Sequence, residues 1–188
     1  MARPRSDEKR SAILEAALRV IVAQGLSAPT SGIAKEAGVA NGSLFTYFET
    51  KAELFNQLYL ELKQEMAVGA MQDFPEGNDL REQLFHVWRL WMAWAVMYPE
   101  KRRVLAQLSV WEELWPKTRM AGHKTMAGIG ALVDRCQATG TMRDAPKGFV
   151  QALMNSVAET TMDFMMQDPE RGDEHCTEGF DALWRMIA

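Results

Sequence analysis

The chain has 188 residues, of which 47% are hydrophobic and 24% are charged, and its formal net charge is −4 at pH 7. That length suits one or two domains, and the composition is that of an ordinary folded protein, which excludes a disordered or fibrous chain. No stretch reaches the roughly 18 to 20 apolar residues of a membrane span. Residues 1–8 also lack the apolar core of a secretory signal, so we expect a cytoplasmic protein.

The first helix is predicted from about residue 7 to residue 24, and Gly25 is well placed as its C-terminal cap. Its apolar face consists of Ile13, Leu14, Ala17, Leu18 and Ile21. Helical periodicity continues along the chain, and no segment alternates apolar and polar residues in the manner of a strand. Because Gly and Pro breaks divide this pattern into about nine helices, we predict an all-α fold.

Residues 30–48 are predicted to form a short helix, a tight turn and a second helix, with Thr30 as the N-cap of the first. Ala34 is small where two helices cross closely, and Gly38 suits a turn that needs a positive φ. The apolar residues that hold the two helices together are Ile33, Val39 and Leu44. This spacing is typical of a DNA-binding helix-turn-helix, whose second helix enters the major groove, although an ordinary pair of packed helices is the alternative.

The distribution of charge agrees with DNA binding despite the acidic total. Residues 1–40 carry six basic and four acidic side chains, a net charge of +2. A basic face on an acidic protein still provides a local attractive field for phosphate.

A long helix is predicted to begin at Thr50, where Thr50 and Glu53 form a capping box, and to reach Met66. The change of domain falls within this helix, because no Gly/Ser-rich tether separates the two parts of the chain. We therefore predict two domains, residues 1–52 and residues 53–188.

The aromatic and methionine residues are concentrated in the second part of the chain. Residues 79–188 hold all six tryptophans and ten of the 13 methionines. The helix that carries Trp88, Trp91 and Met92 is apolar on nearly every face, so it is buried all round or lines a cavity. From the pattern alone a buried core is favoured, although methionine also suits a pocket that accepts varied ligands.

The sequence gives little support for disulfides, a metal site or enzymatic activity. Cys136 and Cys176 are too few for a disulfide framework, and we interpret them as reduced thiols, with a redox sensor as the alternative. Residues 173–176 have metal-ligand side chains, but adjacent positions rarely converge on one ion, so we predict no metal site. Because no catalytic motif is present, we predict neither enzymatic activity nor a cofactor.

Residues 10–55 resemble the N-terminal domain of the tetracycline-repressor (TetR) family of bacterial transcription regulators. The matching residues are Ile13-Leu14, Ala16-Ala17, Gly25, Thr30, Ile33-Ala34, Ala37-Gly38-Val39, Gly42-Ser43-Leu44-Phe45, Tyr47-Phe48, Lys51 and Leu54-Phe55. The segment before Ile33 is slightly shorter than is usual in the family, Phe45 stands where Tyr is common, and Tyr47 stands where His or Tyr is usual. These departures affect which bases and phosphates are contacted and leave the fold unchanged.

The resemblance implies that the helix-turn-helix and its flanks contact DNA. The implied contacts are Thr30, Asn41, Ser43, Thr46, Tyr47 and Lys51, with Arg3 and Arg5 on an N-terminal arm that enters the minor groove. The short side chains of Asn41, Ser43 and Thr46 suit base edges or phosphates. Tyr47 and Lys51 suit phosphates, and Thr30 lies at a helix N-terminus that favours them. Phe45 and Phe48 are expected in the core.

The resemblance also implies that the last helices form a dimer and that the middle helices enclose an effector pocket. For the helix that carries Trp88, Trp91 and Met92, the resemblance therefore favours a ligand pocket over a packed hydrophobic core. The implied effector-binding residues are Trp88, Trp91, Met92, Met66, His86, His123 and Met126. The implied dimer contacts are Phe149, Leu153, Val157, Met165, Phe180, Leu183, Trp184 and Ile187.

Together these features predict a homodimeric DNA-binding transcription regulator, a repressor that binds an inverted-repeat operator in double-stranded DNA and is released by a small, largely apolar effector. In this interpretation residues 1–52 bind DNA, and residues 53–188 bind the effector and dimerise. The alternative is a helical ligand-binding or partner-binding protein that no longer binds DNA. The sequence leaves open the operator, the effector and whether the regulator represses or activates.

Overall fold

The computed structural model describes residues 5–77 and 79–188, and within these ranges it contains helices and no strands. The helices are α1 (Arg5–Gln24), α2 (Thr30–Glu36), α3 (Asn41–Tyr47), α4 (Lys51–Ala70), α5 (Leu80–Met97), α6 (Pro99–Ser109), α7 (Pro116–Thr125), α8 (Ala127–Ala138), α9 (Lys147–Gln167), a 3-10 turn (Pro169–Arg171) and α10 (Gly172–Ile187). The predicted all-α fold is confirmed. In the described part of the chain, no helix is both long enough and apolar enough to cross a membrane.

The helix count exceeds the expected nine because residues 116–138 form two helices. The break lies at Met126, whose φ of −90° and ψ of 6° leave the helical range between α7 and α8. Neither Gly nor Pro occupies this position, so the sequence carries no signal for the break.

The chain divides into two compact units. The first unit contains residues up to 64 together with residues 99–124, and the second contains residues 65–98 and 125–188. The predicted boundary between residues 52 and 53 separates a DNA-binding part from an effector-binding part. It is a division of function and stays a prediction.

The core of the first unit forms where α1 packs against α2 and α6, and α2 packs against α3. Its fully buried side chains include Ile13, Ile21, Ile33, Leu44, Phe48, Leu54, Phe55 and Leu108. Buried Asn56 of α4 fixes the loop before α7: its Nδ2 donates to the carbonyl of Glu113 at 3.2 Å, and its Oδ1 accepts from the amide of Trp115 at 2.9 Å. A buried amide with these partners stabilises the unit, since a polar group buried without partners is costly.

The core of the second unit forms where α5 packs against α8, α9 and α10. Trp88 of α5 is buried and donates its indole N–H to the carbonyl of Cys176 in α10 at 3.0 Å. Cys136 and Cys176 are both free and buried, and burial raises the pKa of each thiol. A thiol with a raised pKa is a poor nucleophile, so the interpretation as reduced core thiols is favoured over a redox sensor.

The C-terminus packs tightly against Gly140, which follows α8. A Cβ atom added there would collide with the carbonyl of Ile187 and lie 2.6 Å from the Cα atom of Ala188. We expect Gly140→Ala to lower the free energy of unfolding by about 1–3 kcal/mol through overpacking, as measured by urea denaturation.

The matched control is Gly130→Ala within α8, where an added Cβ meets nothing within 4 Å. It is expected to raise stability by about 0.5–1 kcal/mol, because alanine favours a helix interior. Equal midpoints for the two variants would contradict the close approach at Gly140.

Candidate nucleic-acid interface

The turn between α2 and α3 has the geometry that the sequence predicted. Gly38 has a φ of +67°, a conformation that glycine adopts without strain. Its amide donates to the carbonyl of Lys35 at 3.1 Å, and the amide of Val39 donates to the carbonyl of Ala34 at 3.0 Å. These two bonds form a Schellman cap, which ends α2 and directs the chain into α3.

The start of α2 differs slightly from the prediction. Thr30 is the first residue of the helix, and the N-cap is Pro29, with φ −74° and ψ 146° and no side-chain cap. Because the proline is already fixed near an extended N-cap geometry, the helix begins one residue earlier than expected. Thr30 is half-buried in the first turn of α2, and its contact with DNA stays a prediction.

The recognition helix α3 has one buried and one exposed face. Leu44 is fully buried, as is Phe48, which directly follows the helix. The exposed residues are Asn41, Gly42, Ser43, Phe45 and Thr46, with Tyr47 half-buried. The predicted polar contacts therefore lie on the surface, whereas the residues that hold α3 in place lie beneath it.

Phe45 was expected in the core, and this prediction was wrong. Its side chain is 40% exposed. Leu44 and Phe48 are four residues apart and define the buried side of the helix, so the next residue, Phe45, falls off that side. Helical periodicity therefore predicts that residue 45 is exposed, and the hydrophobic side chain of Phe45 led to the wrong expectation.

A capping box begins α4 beside the recognition helix. The amide of Glu53 donates to Oγ1 of Thr50 at 3.0 Å, and the Glu53 carboxylate accepts from the amide of Glu49 at 2.6 Å rather than from that of Thr50. Lys51 is half-buried, with Nζ 5.2 Å from the ring centroid of Phe55. Within the described residues its ammonium has no carboxylate partner, so the charge is available to an anion.

A surface cleft of about 310 Å³ lies alongside α3. Its lining residues are Lys9, Gly38, Val39, Ala40, Ser43, Thr46 and Tyr47. The structure therefore brings together three of the predicted DNA contacts, Ser43, Thr46 and Tyr47. It adds Lys9 of α1, which sequence reasoning missed because this residue lies far from the helix-turn-helix in the chain.

Two other cations of the first unit are already paired. Arg10 donates to Glu61 at 2.8 Å and to Gln57 at 3.2 Å, with its guanidinium 5.2 Å from the ring centroid of Phe48. Arg19 pairs with Glu36 at 2.6 Å. Of the predicted arm residues, Arg3 lies outside the described residues. Arg5 is the first residue of α1, and its side chain is also outside the description.

Six of the seven residues predicted to bind an effector lie in the second unit, and exposed His123 lies on α7 in the first. Trp88, Met66 and Met92 are buried, whereas Trp91, His86 and Met126 are half-buried. His86 is 2.7 Å from the carbonyl of Gln72 through Nε2. The role of these residues stays a prediction.

The residues predicted to form the dimer fall into two groups. Phe149 of α9 is exposed, and Leu153, Val157, Met165 and Trp184 are half-buried. Phe180, Leu183 and Ile187 are buried within the chain, against the expectation that they face a partner. The reason is that the apolar stripe of α10 faces α5 and α9 of the same chain, as the ring contact of Phe180 with Phe85 at 4.8 Å illustrates.

Comparison with known proteins agrees with this geometry. Residues 13–58 match the family model for bacterial regulatory proteins of the tetR family. The HTH-type transcriptional regulator AcrR of Shigella flexneri is 34% identical over 110 residues, which cover 55% of this chain and 48% of that protein. Residues 13–58 are therefore similar to regulators of the tetR family.

Solved structures of TetR family regulators are similar to this chain over nearly its whole length. A protein described as a tetR family transcription regulator of Shewanella sp. PV-4 has a TM-score of 0.87 and 29% identity, covering 96% of this chain and 98% of its own. A TetR family transcription regulator of Marinobacter aquaeolei VT8 has a TM-score of 0.87 and 25% identity, covering 100% and 99%. FadR of Bacillus subtilis, solved in complex with stearoyl-CoA, has a TM-score of 0.70 and 18% identity, covering 95% and 99%, and shares the fold.

Proposed function

We propose that this chain is a DNA-binding transcription regulator of the tetR family that acts in the cytoplasm. One observation carries the proposal: the polar side chains of α3 are exposed on a helix that Leu44 and Phe48 fix from beneath. A short helix that presents small polar side chains from a rigid base has the shape and chemistry to read base edges in the major groove. The chain spans about half the length of AcrR. The description of AcrR as a transcriptional regulator therefore supports the proposal, and DNA binding by this chain is to be tested directly.

The chemistry of the side chains divides the surface into two roles. Ser43 and Thr46 are exposed on α3 and suit base edges, Thr46 also through its methyl group to thymine. Tyr47 and Lys51 lie at the end of α3 and the start of α4, where a hydroxyl and an ammonium suit the phosphate backbone. The first pair would set sequence preference and the second would set affinity.

We further propose that the regulator acts as a homodimer through α9 and α10. A groove of about 610 Å³ lies between these helices, lined in part by Val157, Phe164, His175 and Ala182. Phe149 and Phe164 are each more than half exposed on α9, and a second copy of this surface would cover them. Two-fold symmetry in the protein then requires an inverted-repeat operator with half-sites about one helical turn apart.

A small, largely apolar effector is proposed to bind in the second unit and release the operator. Trp91 is half-buried next to buried Trp88 and Met92 along α5, and Met126, before α8, is half-buried in the same unit, so apolar surface is available to a ligand. The acyl chain of the ligand bound to FadR is an example of this ligand class in a protein of the same fold.

Two substitutions separate the roles of the DNA-contacting surface. We expect Lys51→Ala to weaken binding to all duplexes alike and to flatten the dependence of log K on log salt by about 0.9, as loss of one phosphate contact requires. Thr46→Ala should instead change base preference at one position in each half-site, at a cost of about 1–3 kcal/mol for the preferred base.

The measurement is selection of sites from random duplex DNA by each variant, followed by salt titration on the selected site. If Lys51→Ala shifts base preference while the salt slope stays the same, the two roles are reversed. Recovery of asymmetric sites alone would contradict the dimer. Recovery of no site would favour the alternative of a ligand-binding or partner-binding protein without DNA-binding activity.

A further inference from the structure

The cleft beside α3 includes a cation from outside the helix-turn-helix. Lys9 belongs to the second turn of α1 and lines the same cleft as Ser43, Thr46 and Tyr47. Its side chain is exposed. A lysine on a separate helix therefore borders the surface through which the recognition helix would meet DNA.

The backbone position of Lys9 is fixed by the residues that follow it. Arg10 is tied to α4 by hydrogen bonds of 2.8 Å to Glu61 and 3.2 Å to Gln57. Its guanidinium also lies 5.2 Å from the ring centroid of Phe48, which directly follows α3. Ile13 and Leu14, one turn further on, are buried. Arg10 thus links the start of α1 to α4 and to the end of α3, and the flexible stem of Lys9 can adjust beside them.

The charge of Lys9 is also available. Among the described residues it has no ion-pair partner, whereas Arg10 and Arg19 are both paired with glutamates. An ammonium on a flexible stem is suited to a phosphate, which accepts a point charge from many directions, and less suited to a base edge, which requires fixed geometry.

We propose that Lys9 binds a DNA phosphate beside the base contacts of Ser43 and Thr46, and so positions α3 in the major groove from a third helix. This inference rests on the proposed function and adds a contact to it. In this arrangement α1 would hold one phosphate and Lys51 of α4 another, so the recognition helix would be anchored from two separate helices.

The test is a fluorescence anisotropy titration with two duplexes of equal length, one carrying the site selected by the wild-type protein and one of mixed sequence. We expect Lys9→Ala to weaken binding to both duplexes about three- to tenfold and to reduce the slope of log K against log salt by about 0.9. Lys9→Arg should restore the slope, because it keeps the charge. Lys124→Ala is the matched control, since it removes the same charge from an exposed lysine of the first unit that does not line the cleft.

The possible outcomes are distinct. If the wild-type protein binds the selected site and Lys9→Ala behaves like Lys124→Ala, the inference is wrong and the proposed function stands. If the wild-type protein binds neither duplex, the proposed function fails and the inference fails with it. An unchanged circular dichroism spectrum for Lys9→Ala, expected of an exposed residue, excludes misfolding as the cause of a loss.

Discussion

Phe164→Glu is expected to convert the protein to a monomer and to weaken operator binding by at least about a hundredfold, or about 2.7 kcal/mol. Phe164 is 52% exposed on α9 and lines the groove between α9 and α10. Its ring makes an edge contact with His175 at 5.7 Å, so the side chain belongs to an ordered surface. If a second copy covers this surface, a carboxylate at Phe164 would lose its hydration beside Arg171 and His175, which already face Glu174 and Asp168, and this is strongly unfavourable. A monomer can engage only one half-site at a time, so operator affinity falls with the dimer.

Sedimentation velocity and operator binding measure the two consequences in the same samples. Val110→Glu is the control, because Val110 is 82% exposed in the first unit and lies outside α9 and α10. It should leave both the mass and the affinity unchanged. A Phe164→Glu protein that sediments as a dimer would place the interface elsewhere, and one that is monomeric yet binds the operator normally would contradict recognition by a dimer.

A ligand that fills the proposed pocket is expected to quench tryptophan fluorescence and to weaken operator binding by about a hundredfold. Such a change needs about 2.7 kcal/mol of coupling between the two sites, and it must come from different affinities of the ligand for two states of the protein. The proposed link is α4, which begins at Lys51 beside the recognition helix and ends at Ala70 in the unit that contains Trp91. A ligand that favours one orientation of α4 would change the spacing of the two recognition helices in the dimer.

Trp91 should report and support this binding. Trp88 and Trp94 donate their indole N–H groups to Cys176 and Glu65, both at 3.0 Å. Among the described residues the N–H of Trp91 has no such partner, and the side chain is half-buried. We expect Trp91→Ala to reduce ligand affinity at least about tenfold while ligand-free operator binding is nearly unchanged.

A screen of apolar small molecules by fluorescence, repeated on the operator complex, makes the measurement. Trp115→Phe serves as the control, because Trp115 is a half-buried tryptophan of the first unit, and its loss should leave ligand affinity intact. Saturating quench at Trp91 without a change in operator affinity would show that the pocket does not control DNA binding.

The helix-turn-helix could be predicted from sequence because its determinants are local. Gly38 must adopt a positive φ, and Ile33 and Leu44 must be buried, within a segment of fewer than twenty residues. The orientation of α10 could not be predicted in the same way. An apolar stripe at helical spacing shows that one side of a helix is covered, but not whether its own chain or a second copy covers it. Phe180, Leu183 and Ile187 were therefore assigned to the wrong neighbour.

Contacts between distant segments were the other part that the sequence did not reveal. Lys9 and Thr46 line one cleft although they are far apart in the chain, and no spacing rule connects them. Phe45 is different, since its exposure follows from its position relative to Leu44 and Phe48. The polar contacts of α3 were predicted from the family resemblance and from the short polar side chains of the segment. A lysine on a long amphipathic helix usually serves only solubility, so Lys9 gave no comparable signal.

The two buried thiols can be used to detect local unfolding of the second unit. Cys136 and Cys176 both lie in that unit, and burial raises the pKa of each. A thiol-modifying reagent added to the native protein can therefore react only when the region around α8 or α10 transiently unfolds. Labelling rates would then follow the local stability of the second unit, and they can be measured without DNA. A ligand that binds there would slow the labelling in proportion to its occupancy, which provides an assay for effector candidates before an operator is known.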